Sequence, residues 1–89
     1  MTTLFVRHTV SDYPVWRKAY ESVAAMQKAH GVTAEAVYQA IDNPNDVTVT
    51  HDFATPAQAK AFAESPDLQE AMKRAGVVGS PSIWFATKA

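Results

Sequence analysis

The chain has 89 residues, 47% hydrophobic and 19% charged, with a formal net charge of −1 and no cysteine. That balance describes one globular domain over residues 1–89 and excludes a disordered chain, a disulfide framework or a cysteine-built metal site. Acidic and basic residues are interspersed, so no basic stripe marks a nucleic-acid or membrane surface, and no apolar run has the length of a membrane span.

A domain of this size buries only about 60–65% of the surface its unfolded chain exposes, which leaves it marginal alone. Association is the remaining way to bury more apolar surface, and a homodimer is expected. No basic N-terminal region leads into an apolar run and cleavage site, so the cytoplasm is the expected location.

The first strand is Leu4-Phe5-Val6-Arg7-His8-Thr9-Val10. It gives way at Ser11-Asp12-Tyr13-Pro14, where Asp12 or Ser11 caps a helix and proline fits the first turn. Helical spacing of Trp16, Tyr20, Val23 and Met26 or Gln27 predicts one helix running to His30, with Gly31 as its left-handed C-terminal residue. Residues 34–42 read as a second strand. The turn formers Asp42-Asn43-Pro44-Asn45-Asp46 then join it as a hairpin to Val47-Thr48-Val49-Thr50-His51-Asp52-Phe53.

Thr55-Pro56-Ala57-Gln58 is a capping box with proline at the first helical position. Ser65-Pro66-Asp67-Leu68 repeats the signal, so this helical region is predicted in two pieces. The second piece ends before Gly76, with Lys73 and Arg74 late, as the helix dipole prefers. Gly79-Ser80-Pro81 reads as a turn and Ser82-Ile83-Trp84-Phe85-Ala86 as the last strand.

The order β-α-β-β-α-β is the split arrangement of ferredoxin-like folds, α+β, with a four-stranded antiparallel sheet and helices on one face. Right-handed crossovers make the first and third strands central neighbours, taken here as a parallel pair. Side chains alternate with period two, so Leu4, Val6, His8 and Val10 share one face, and Val47, Val49, His51 and Phe53 share another. Both histidines are thus in phase with the apolar residues. A parallel pairing would set them near the same end of adjacent strands, between sheet and helices and close to Trp16 and Tyr20. On the other face, Arg7 and Asp52 are expected to pair.

Val6-Arg7-His8-Thr9-Val10, then Asp12-Tyr13-Pro14-Val15-Trp16-Arg17-Lys18-Ala19-Tyr20, the Asn43-Pro44-Asn45-Asp46-Val47 hairpin, His51-Asp52-Phe53 and Ser65-Pro66-Asp67-Leu68 together resemble the dimeric α/β-barrel superfamily. The likeness is to small proteins similar to antibiotic-biosynthesis monooxygenases, some labelled cyclases. The resemblance implies a dimer closed through its sheet faces and a small-molecule pocket in each protomer. Its known activities include cofactor-independent oxygenation of aromatic polyketides and haem degradation. The haem-degrading type is a poor match, because it uses a histidine on the second helical region and residues 55–76 contain none. It also uses an asparagine late in the first strand, where this chain has His8 or Thr9.

His8 and His51 are therefore read as an acid/base pair acting on a phenolic or enolisable molecule, without cofactor or metal. Two histidines leave a metal site short of ligands, and Asp52 points away from His51. Trp16, Tyr20, Phe62 and Trp84 are candidate walls for an aromatic ligand, against the plainer reading of all four as core. Ser80 and Ser82 lack any nucleophile context. Three functional readings follow: a cofactor-free monooxygenase or cyclase, a non-catalytic ligand-binding or stress-response dimer, and a structural dimer whose pocket its own side chains fill.

Overall fold

Residues 1–89 are described by a computed structural model. Four strands, β1 (Thr2–Val10), β2 (Ala34–Ala40), β3 (Asn43–Phe53) and β4 (Val77–Thr87), form one sheet in the order β2-β3-β1-β4. Four helices connect them: α1 (Tyr13–Ser22) and α2 (Ala24–Ala29) after β1, then α3 (Pro56–Ala63) and α4 (Pro66–Arg74) after β3. None is long and apolar enough to cross a membrane.

All three strand pairings are antiparallel. This corrects the expected parallel pairing of β1 with β3. The crossover through α1 and α2 returns the chain parallel to β1, and the tight hairpin then reverses it. β3 must therefore run against β1. Alternation along the strands is as expected, since Leu4, Val6, His8 and Val10 are buried on one face, as are Val47, Val49, His51 and Phe53.

The helix starts follow their capping chemistry. Asp12, Thr55 and Ser65 each accept a hydrogen bond from a backbone N–H in the first turn, with proline directly inside the helix in every case. At Thr55 the donor is Gln58, whose side chain lies against Gly31. Gly31 and Gly76 take positive φ just past α2 and α4, which spares a side chain there the left-handed penalty.

The expected single helix over residues 13–30 is broken at Val23. Ser22 donates its hydroxyl to the Ala19 carbonyl at 2.6 Å, a local bond that competes with the helical ladder. The last strand starts earlier than expected. Gly79, Ser80 and Pro81 form a bulge inside β4, between the pairs Arg7–Ser82 and Thr9–Val78.

One core cluster joins Leu4, Val6 and Phe53 to Ala59, Phe62 and Leu68, and a second joins Val10, Val47 and Val49 to Trp16 and Ala75. On the opposite face Arg7 makes a two-pronged pair with Asp46 at 3.0 and 2.6 Å, not the expected pair with Asp52. Asp52 accepts from the Thr3 hydroxyl at 2.6 Å, because Thr3 is the residue directly across from it.

The buried Ser65 hydroxyl accepts from the Leu68 N–H and donates to the Phe62 carbonyl at 2.8 Å, tying the end of α3 to the start of α4. Ser65→Ala is expected to lower stability by about 1 kcal/mol, read as a shift in the urea midpoint at unchanged slope.

Candidate functional site

A pocket opens between sheet and helices. Val6, His8, Val49 and His51 form its floor, and all four helices contribute to its roof, Trp16, Tyr20 and Phe62 among them. Twelve of the fifteen lining residues are hydrophobic, so the polar exceptions, His8, Gln27 and His51, stand out as the groups able to orient a ligand. The space between these side chains, part of it open to solvent, is about 460 Å³.

The antiparallel register separates the two histidines. His8 faces Val47 and His51 faces Leu4, with the Val6–Val49 pair between them. Four residues along a strand is roughly 13 Å, so the imidazoles flank the pocket from opposite ends and are not side by side as expected. Each has its own aromatic neighbour. His8 lies 5.7 Å from Trp16 between ring centroids, and His51 lies 5.3 Å from Phe62 and 6.2 Å from Tyr20. Trp16 also stacks on Tyr20 at 4.9 Å, which continues the aromatic wall along α1.

His8 sits where the β1–β4 ladder opens, opposite the Gly79–Pro81 bulge, and neither of its ring nitrogens has a partner. His51 keeps Nδ1 unpartnered, while Nε2 lies 3.4 Å from the Tyr20 hydroxyl. That hydroxyl donates to Glu35 at 2.6 Å. Glu35 is the register partner of His51 on β2, an exposed carboxylate at the sheet edge.

Glu35 and Gln27 belong to this site and escaped the sequence reading. The signal for Glu35 was present: it is in phase with Val37, which packs in the core, as His51 is with Val49. Trp84, read as a pocket wall, is on the other side of the sheet. It is paired across from Phe5 and stacks on that ring at 5.3 Å, facing away from the helices.

Burial pushes His51 down from the ordinary 6.5 to about 4, against the opposing charges of Glu35 and Asp52. Burial lowers His8 as well, opposed by Asp46. Both imidazoles are neutral at pH 7 and can accept a proton. Burial first, then the Glu35 hydrogen bond and charge, hold the Tyr20 phenol far above its usual range; Gln27 and Arg17 oppose them. Tyr20 therefore remains a neutral hydroxyl.

The fold is that of antibiotic-biosynthesis-monooxygenase-like proteins. A protein of Bordetella bronchiseptica provisionally named an antibiotic biosynthesis monooxygenase superimposes with a TM-score of 0.84 at 18% identity, covering 99% of this chain and 96% of that one. SnoaB, a cofactor-independent oxygenase of Streptomyces nogalater, gives 0.79 at 13% identity over 99% of this chain and 92% of its own. A protein of Nitrosomonas europaea, also provisionally named an antibiotic biosynthesis monooxygenase, gives 0.76 at 13% identity over 99% and 98%. No protein-family model and no curated protein matches the sequence.

The lowered histidines make a testable link to stability. The unfolded chain binds these protons near pH 6.5 and the folded chain only at lower pH, about 4 for His51, so folding loses ground as pH falls through that window. For His51 the full effect is on the order of 3 kcal/mol, present above the unfolded value and lost toward about pH 4. Urea denaturation at stepped pH is expected to show the fall, and His51→Leu to flatten it.

Proposed function

We propose that this protein is a small-molecule enzyme of the cofactor-independent monooxygenase or cyclase type, acting on a flat phenolic or enolisable molecule held between sheet and helices. One observation carries the reading: three buried imidazole nitrogens without partners, on the floor of a mostly apolar pocket. Burying a polar group without a hydrogen bond costs about 1–3 kcal/mol, and nothing in the packing recovers it. A ligand bearing hydroxyl or carbonyl groups does.

In this reading His51 is the base. A neutral imidazole in a dry site takes a proton from the ligand and leaves an enolate or phenolate, electron-rich enough to react with oxygen or to close a ring. His8, at the other end, holds a second polar group of the ligand. Trp16, Tyr20 and Phe62 supply the flat walls. SnoaB, a cofactor-independent oxygenase on the same fold, supports this class of chemistry.

The working unit proposed is a homodimer joined through the sheet faces. The face away from the helices carries the stacked Phe5–Trp84 pair, with Trp84 43% exposed, and Tyr38 at 58%. A marginal 89-residue domain gains stability by covering such surface with a second copy.

Activity and assembly state each test the proposal. Against a panel of polyphenols and polycyclic enols, with ligand loss and oxygen uptake followed together, His51→Ala is expected to reduce turnover by about 10²-fold or more while binding changes little. Turnover surviving both His51→Ala and His8→Ala would overturn the acid/base assignment. Binding without turnover by the unmodified protein would favour a ligand-binding module. By light scattering after size exclusion, the protein is expected at twice its chain mass, and Trp84→Glu at the mass of one chain.

A further inference from the structure

We infer that Tyr20 and Glu35 form a relay that fixes the tautomer of His51 and carries its proton between the buried ring and solvent at the sheet edge. The inference rests on the reading of His51 as the pocket's base and assigns Tyr20 and Glu35 as positioning residues that act through it.

Geometry carries it. Glu35 and His51 are direct cross-strand partners on the helix-facing side of β2 and β3, and Tyr20 descends from α1 onto both. The Tyr20 hydroxyl has one proton and two neighbours. The 2.6 Å contact to the Glu35 carboxylate is short and charge-assisted, whereas the contact to His51 Nε2 is 3.4 Å. The proton therefore points to Glu35, and the oxygen offers a lone pair to His51. Only a protonated Nε2 can use that lone pair. The Nε2–H tautomer leaves Nδ1 bare, and Nδ1 is the nitrogen found buried without a partner.

The transfers balance. A bond from hydrogen to carbon or oxygen in the ligand breaks, its electron pair stays on the ligand, and the proton joins Nδ1. The Nε2 proton passes to Tyr20 Oη as the Tyr20 proton passes to Glu35, and the Glu35 carboxylic acid releases it to water. Returning the Nδ1 proton to the product, with the relay running inward from solvent, restores the starting tautomer. Because Tyr20 is held neutral and His51 is easily deprotonated, neither side chain keeps the charge, which stays on the ligand as its enolate or phenolate until the proton is returned.

The relay can be tested without a ligand, so its outcome is separate from any search for substrate. In 15N-labelled protein near neutral pH, long-range proton–nitrogen correlation is expected to show His51 as the Nε2–H tautomer. Tyr20→Phe is expected to reduce that preference several-fold. Glu35→Gln, at an exposed position that leaves the core untouched, frees the Tyr20 proton to turn toward Nε2. It is expected to shift His51 toward Nδ1–H and to slow exchange of the ring N–H with solvent several-fold. An Nδ1–H ring in the unmodified protein, or a tautomer ratio and exchange rate unmoved by Glu35→Gln, overturns the relay whatever the pocket binds.

Discussion

In the antiparallel ladder between β1 and β3, Leu4 stands opposite His51, Val6 opposite Val49 and His8 opposite Val47. Those three pairs hold the molecule together and also set out its chemistry. The valine pair is the seam on which helices from both crossovers rest, and it joins the two core clusters. The same register holds each imidazole beside an aliphatic partner and keeps the two rings apart. A slip of one residue would turn every one of these side chains to the other face. Stability and site are therefore set by one registration, and neither can drift without the other.

The ends of the pocket are not equivalent. At the His51 end, α1 and β2 close in with a hydroxyl and a carboxylate, so the ring has an oriented neighbour and a route outward. At the His8 end the β4 ladder opens, and the ring, set against Trp16, has no hydrogen-bond partner. One imidazole is connected and the other isolated. Environment, more than residue type, separates their roles, as it does wherever two identical groups must do different work.

Much of this was legible in the sequence. The proline-bearing caps at Asp12, Thr55 and Ser65 and the glycines at 31 and 76 declare their local structure, because each answers a requirement met within a few residues. Period-two alternation also declares that His8 and His51 face the helices. Strand direction is a different kind of property. It follows from counting reversals along the chain, and the hairpin before β3 supplies the one that separates the histidines. The break at Val23 and the bulge in β4 were hidden because a serine–carbonyl bond and a three-residue detour leave the apolar spacing almost unchanged. Trp84 went to the wrong face for want of the register that pairs it with Phe5. Glu35 was readable by the rule that found the histidines, applied to a strand whose facing had not been assigned.

The bulge at Gly79–Pro81 has a consequence at the rim of the sheet. β4 is an edge strand bearing Val78, Ile83, Trp84 and Phe85, all substantially exposed. An uninterrupted edge with that content is a template for an incoming foreign strand, the first step toward aggregation. Here the detour divides the edge, and Pro81 removes one donor at the break. Neither half presents a full-length row of backbone partners. The apolar side chains stay available to a surface shaped to fit them, while the backbone that would accept any strand is spoiled. A sticky strand has been made selective.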